Sequence, residues 1–209
     1  WSLALCALYD ATWDGKYLDL AAMTARRMVE RFGDSKAAGL FQTAQGGEGM
    51  VLHLKPSGDE PLPGPNAAAA WALAHLASLG AEDLRPWADR TLSYVSGAIR
   101  QQPHEHAFGA LALIRSLWSH AQLVVAPGQG LYANRLRAML RTRPDVSVLF
   151  ADSRAPSFAR DMLASYAPLQ GKTAYYLCVG QHCLEPTDSL ETLAERLDAF
   201  LASAGPANG

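Results

Sequence analysis

The hydrophobic period changes once along this chain, and that change decides what the chain can fold into. Up to about residue 120, apolar residues recur every three to four positions, the spacing of helices that bury one face. Leu18, Ala21, Ala22, Ala25, Met28 and Val29 make one such stripe, with Arg26, Arg27 and Glu30 opposite. Asn66 reads as the cap of an apolar helix from Ala67 to about Leu79, which Gly80 stops. Glu82 to Ile99 follows, with Trp87, Leu92, Val95 and Ile99 inward, and Pro103 opens a helix carrying Phe108, Leu111, Ile114, Leu117 and Trp118. Short turns between such helices predict stacked antiparallel pairs. Beyond residue 120 the period becomes that of strands. Gln122–Ala126, Val146–Ala151 and Ala174–Cys178 are β-like runs, with helical patterns at Leu131–Leu140 and Leu190–Leu201. That alternation implies a small, mainly parallel sheet. The expected architecture is mainly α, a helical array over residues 1–120 followed by a small α/β appendage over 121–209.

Two connections stand out in the helical part. Gly39 to Leu54 is Gly-rich and partly β-like, a long loop or hairpin. Pro56 to Pro65 holds four prolines and two glycines and cannot be a regular element, because proline lacks the amide donor and fixes φ. At about ten residues it approaches the length at which an irregular loop suggests function.

Composition removes several classes of function. With 49% hydrophobic and 18% charged residues the chain has material for a core, which disordered chains lack. A net charge of -2 argues against a nucleic-acid partner. The longest apolar-rich stretch, Ala67–Leu79, rises about 20 Å as a helix, short of a bilayer core of about 30 Å, so no membrane span is expected. Three cysteines are too few for a disulfide-built scaffold. Trp1–Tyr9 reads as the middle of a helix, so the chain is expected to be a fragment of a longer protein. No targeting segment is visible, and a cytoplasmic location is expected.

Three stretches together resemble one family. His53-Leu54-Lys55, Asp59 and Pro63-Gly64-Pro65-Asn66-Ala67 follow the layout of a loop in which R-x-K precedes Asp and then P-S-G-N. Gln122–Gly128 is similar to the strand placed after the last helix pair. Gly171-Lys172-Thr173-Ala174-Tyr175-Tyr176-Leu177-Cys178, Cys183 and Pro186-Thr187 resemble a G-K-T-x-x-Y-x-C-x4-C-x-x-P-T signature. The family is the thioredoxin-domain-containing, spermatogenesis-associated proteins. The resemblance implies a partial (α/α)6 toroid, related to six-hairpin glycosidases and N-acylglucosamine 2-epimerases, with a thioredoxin-like partner domain upstream. It further implies a domain that binds or processes carbohydrate. The rival expectation is a non-catalytic structural or interaction domain supporting that partner. His53 stands where the family has Arg, Pro56 where it has an acid, Gly64-Pro65 where it has Ser-Gly, and Ala37-Ala38 where it has two glycines. Losing those hydrogen-bonding groups points to a copy altered or inactive in catalysis. An incomplete ring is also expected to expose an apolar helix face and self-associate through it.

The candidate site residues follow. Lys55, Asp59 and Asn66, with His53, would offer a cation, a carboxylate and an amide to a polyhydroxy ligand. Read without a ligand, Asn66 is a cap, Asp59 a turn former and Lys55 solvated. Cys178 and Cys183 fit structural thiols, a reversible redox pair, or two ligands of a metal site for which only His182 is a near third donor. No metal site and no cofactor are expected: Gly128 and Gly130 begin a G-x-G that residue 133, an alanine, does not complete. His104 and His106 flank Glu105 at a helix start and point apart if that segment is helical. His53, His75 and His120 read as packing or surface residues, Asp10 and Asp19 as solvated faces, and no carboxylate pair suited to glycoside hydrolysis stands out.

Overall fold

The computed structural model describes residues 1–44, 52–118, 120–143, 145–180 and 182–203. Among them are eight α-helices and four strands. The chain divides into two compact units, one of Trp1–Ala11 with Lys16–Ser116, the other of Thr12–Gly15 with Leu117–Gly209. Among the described residues no helix is long and apolar enough to cross a membrane.

Unit 1 is helical: α1 (Ser2–Thr12), α2 (Lys16–Phe32), α3 (Pro65–Ser78), α4 (Arg85–Gln101) and α5 (Ala107–Leu117). α2 buries Leu18, Ala21, Ala22, Ala25 and Val29 of the stripe its period predicts, while Met28 is only half-buried. α3 is apolar all round and is the central helix of the unit, packing against both α2 and α4. Its run of alanines permits that, since small side chains bring backbones close. The cap of α3 differs from the sequence expectation. Gly64 is the N-cap and Pro65 the first residue, so Asn66 lies inside the helix and its side chain does other work. α4 buries Ala88, Thr91, Leu92 and Val95. In α5 only Gly109 and Ala112 are buried, while Leu111, Ile114 and Leu117 are each half exposed. Pro103 opens a 3-10 turn, Pro103–Glu105, and not α5 itself. Much of the Gly39–Leu54 expectation falls on residues 45–51, outside the described residues. Its ends are tied by the Gln42 amide donating to the Leu54 carbonyl at 2.8 Å.

Unit 2 runs β1 (Ala121–Ala126), α6 (Ala133–Leu140), β2 (Val146–Phe150), a short α7 (Arg160–Leu163), β3 (Ala174–Val179), β4 (His182–Cys183) and α8 (Leu190–Ser203). The strand order is β2-β1-β3-β4. β1 pairs with β2 in parallel, but β3 is antiparallel to β1 and β4 antiparallel to β3. The expectation of a mainly parallel sheet is therefore corrected: the sheet is mixed. α6 supplies the crossover that parallel pairing needs, whereas α7 is one turn long and the chain returns to β3 from the other direction. Ala121–Ala126 and Ala174–Val179 are register partners from end to end. Leu123, Val125, Val148, Phe150, Tyr175 and Leu177 from the sheet meet Leu136 of α6 and Leu193 and Leu197 of α8 in one core.

Trp13 belongs to that core. Its φ is 57°, a left-handed conformation that bulky residues rarely adopt, yet it is buried. Its ring lies 5.1 Å from that of Phe150, and the Arg137 guanidinium sits 4.1 Å over it. Close by, a Cβ on Gly15 would lie 2.2 Å from the Arg154 carbonyl oxygen, so only glycine fits there.

Candidate functional site

The Pro-rich loop places its polar groups against the chain itself. Asn66 is 1% exposed. Its Oδ1 accepts from the Leu40 amide at 2.7 Å, and its Nδ2 donates to the carbonyls of Leu40 at 3.0 Å and Pro56 at 2.8 Å. Asp59 accepts from the Gly64 amide at 2.6 Å and, with its other oxygen, from the Phe108 amide at 2.7 Å, which ties the loop to the first turn of α5. Lys55 donates to Asp34 at 2.5 Å and to the Ala38 carbonyl at 2.9 Å, and lies over the Phe41 ring. That bond, with the amides of Lys36 and Ala37, holds the Asp34 carboxyl down at about 2. His53 is exposed, its ring 5.5 Å from that of Phe41. Beneath the loop is a cavity of about 200 Å³ with mostly apolar walls, Phe32, Leu40, Phe41, Pro56 and Pro65 among them, and with Gln42 and Asn66 also lining it.

Cys178 and Cys183 are direct cross-strand partners on β3 and β4 and form a disulfide. Cys183 is exposed and Cys178 buried. Because β3 runs opposite to β1, this bond lies near the start of β1, the far end of the sheet from the Pro127–Gly130 turn. At that turn the Gly128 amide donates to Thr173 Oγ1 and the Gln129 amide to the Gly171 carbonyl, so the two motif stretches close on one another. A Cβ on Gly128 would come within 2.6 Å of the Gly171 oxygen. Among the described residues no group of three or more His, Cys, Asp or Glu side chains could hold a metal ion. His104 is exposed, and His106 is buried with its Nδ1 bonded to the Gln102 carbonyl.

Another constellation lies in unit 1. Leu3, Cys6, Ala7 and Asp10 fall at i, i+3, i+4 and i+7 on α1, Trp71 and His75 at i and i+4 on α3, and Phe108 and Arg115 at i and i+7 on α5. These three stripes line one groove of about 260 Å³. The rings of Trp71 and Phe108 stack 5.2 Å apart, 21° from parallel, and Arg115 sits 5.4 Å over Trp71. Arg115 Nη2 lies 3.2 Å from His75 Nδ1. A guanidinium has no acceptor, so Nδ1 accepts and the proton of a neutral His75 is on Nε2. That nitrogen is 3.9 Å from Asp10 Oδ1.

The groove tunes its acids. Crowding by its walls pushes the Asp10 carboxyl up to about 6, against the pull of Arg115. The side chain keeps 60% of its surface exposed at the mouth, so water reaches the carboxylate and opposes that rise. Burial, and then the charge of Asp10, push the Cys6 thiol up to about 12, which keeps it neutral. The groove therefore combines an aromatic platform, a weak carboxylic acid, an imidazole of fixed tautomer and a guanidinium.

From sequence, His75 reads as a packing or surface residue and Asp10 as part of a solvated face, and nothing there singles out Trp71 or Arg115. One signal was present: His75 interrupts an apolar helix four residues after a tryptophan, which puts a polar and an aromatic group on one face. No protein-family model matches this sequence, and no curated protein matches it either.

Proposed function

We propose that unit 1 is a carbohydrate-binding or carbohydrate-processing helical domain and that the groove between α1, α3 and α5 is its ligand site. The stacked rings of Trp71 and Phe108 beside Asp10, His75 and Arg115 carry this reading. A sugar ring has apolar C–H faces and a polar rim, and sites for such ligands pair aromatic walls with a few convergent polar groups. Alternate helices lining one groove are compatible with part of an (α/α) toroid; membership of the thioredoxin-domain-containing, spermatogenesis-associated family and a cytoplasmic location are proposed on the motif resemblance and the absence of a targeting segment alone. Titration calorimetry with a panel of monosaccharides tests the reading: binding that Trp71→Ala removes supports it. Silence across the panel, with the protein folded, refutes it.

A second reading has its own support. The polar heads of Lys55, Asp59 and Asn66 are all engaged by the chain, as in a scaffold, and α5 exposes Leu111, Ile114 and Leu117 at helical spacing. In this reading the protein is a structural or interaction domain that self-associates through α5 and supports a thioredoxin-like partner domain. Light scattering separates the readings: association that Leu111→Glu with Ile114→Glu abolishes favours the second.

A further inference from the structure

The disulfide of unit 2 sits where a thiol in solution can reach it and where its loss would disturb little. The Leu184 amide donates to the Leu177 carbonyl at 2.9 Å, so Leu177 and Leu184 form a hydrogen-bonded pair. Pair types alternate along an antiparallel ladder, which makes Cys178 and Cys183 a non-hydrogen-bonded pair, the type whose side chains come closest. The two cysteines are separated by 5 positions in sequence. A bond that closes so short a loop restrains the unfolded chain less than one across a long loop, so it is a weak staple. Its two sulfurs are also unequal. Cys178 is 5% exposed, on a strand paired along its length with β1. Cys183 is exposed on β4, a two-residue strand at the sheet edge. Opening that edge is a confined event. Thr187 exchanges two backbone hydrogen bonds with Tyr175, at 2.8 and 3.2 Å, and so re-anchors the chain shortly beyond Cys183.

We propose that Cys178 and Cys183 are a thiol–disulfide exchange site for a dithiol reductant, with Cys183 the sulfur attacked and Cys178 the leaving thiol. A thiolate of the reductant adds to Cys183 Sγ, the bond to Cys178 breaks, and the Cys178 sulfur departs with the electron pair and takes up a proton. The second thiolate of the reductant then attacks its own sulfur in the mixed disulfide and releases Cys183, which is protonated in turn. Two electrons pass from the dithiol to the pair. The dithiol becomes a disulfide, and its two protons end on the cysteines. In the reduced protein only backbone pairing holds β4 to β3, so the edge from His182 to Pro186 opens while β1, β2 and β3 keep their ladders. Cys6 stands apart from the exchange, because it is buried on α1 in unit 1.

The test follows reduction of the whole chain by dithiothreitol, folded and in urea, by counting thiols with a chromogenic disulfide reagent. The folded protein should gain two titratable thiols with its far-UV circular dichroism kept, at a rate within about tenfold of that in urea. On reduction the Leu184 amide should exchange with solvent about tenfold faster, and the Thr187 amide at its former rate. Oxidised glutathione should restore the bond in wild type. In Cys178→Ser it should leave a mixed disulfide on Cys183, formed about tenfold faster than the one on Cys178 in Cys183→Ser. Reduction slowed by folding beyond about tenfold overturns the proposal, since attack would then wait on unfolding. Loss of the circular dichroism on reduction overturns it too, because the bond is then a structural staple. Equal rates in the two serine variants overturn the choice of Cys183 as the sulfur attacked. If either variant does not fold, wild type decides, and unchanged Leu184 exchange on reduction overturns the proposal.

Discussion

Replacing Asn66 separates a structural amide from a ligand-binding one. The side chain satisfies three buried backbone groups: the Leu40 amide, the Leu40 carbonyl and the Pro56 carbonyl. Asn66→Ala leaves all three without that partner. A buried group deprived of its hydrogen bond costs about 1–3 kcal/mol, and relaxation of the loop recovers part of it. The loss expected for the variant is therefore about 3–5 kcal/mol, a large share of the stability of a small domain. Urea unfolding followed by far-UV circular dichroism measures it, and exchange of the Leu40 amide reports the same loss locally.

Asn66→Asp adds a test of sign. The carboxylate still accepts from the Leu40 amide, but its second oxygen now faces two carbonyls where Nδ2 donated. Both this repulsion and burial disfavour ionisation in the folded state, so the folded pKa rises above the unfolded value of about 3.9. For an acid with a raised folded pKa, stability falls as pH rises through the unfolded pKa. The variant should be closest to wild type near pH 3.5 and weakest near neutrality, a trend that Asn66→Ala does not share. Asn66→Ala within about 1 kcal/mol of wild type, or Asn66→Asp with a flat pH profile, would refute the structural assignment.

Three further outcomes are expected. Asp34 has its pKa lowered to about 2, so it contributes stability above the unfolded pKa of about 3.9 that is lost as pH falls through 2; Asp34→Asn should flatten acid unfolding in that window, and an unchanged acid limb speaks against the Lys55 bond. Trp13→Ala should cost unit 2 about 3–5 kcal/mol in denaturant unfolding, because it empties a packed aromatic site while alanine, keeping its Cβ, retains the left-handed strain; stability within about 1 kcal/mol of wild type would show that the ring contributes little packing. Thiol titration without reductant should find one reactive cysteine, Cys6, and only after denaturation, rising to three on reduction; three thiols before reduction would show that Cys178 and Cys183 are unpaired.

Much of the architecture was legible because periodicity is local. The α2 stripe and the positions of β1, β2 and β3 follow from spacing alone, since a half-buried helix and a strand each impose their period on neighbouring residues. Strand direction was not legible. A parallel neighbour for β3 would need a crossover of a dozen or more residues, and the segment before it looks long enough to be one. Only the structure shows that α7 spans one turn and β3 runs backward. α3 starts two residues before the position its sequence suggests, because Asn is a common cap and nothing local reveals that Asn66 instead bonds to Leu40, 26 residues away.

The loop and the groove show why site residues were harder to read than the fold. Lys55, Asp59 and Asn66 are crowded together in sequence, and polar residues crowded in a loop look like a site. Yet each reaches a partner far along the chain: Asp34 for Lys55, Phe108 for Asp59, Leu40 for Asn66. A proline-rich segment makes few backbone hydrogen bonds of its own, so it needs such side-chain ties to be fixed at all. The groove has the opposite character. Its residues come from turns of α1, α3 and α5 that are scores of positions apart, and each turn alone resembles a core stripe with one polar residue astray. Packing alternate helices side by side gathers those strays: Asp10, His75 and Arg115 converge because each sits on the face its helix turns to the same groove. If the proposed carbohydrate reading holds, substitutions on that face should change ligand affinity more than stability, and Asn66→Ala should do the reverse. If Asn66→Ala abolished sugar binding in a domain that still unfolds as wild type does, the division of labour between loop and groove would be wrong.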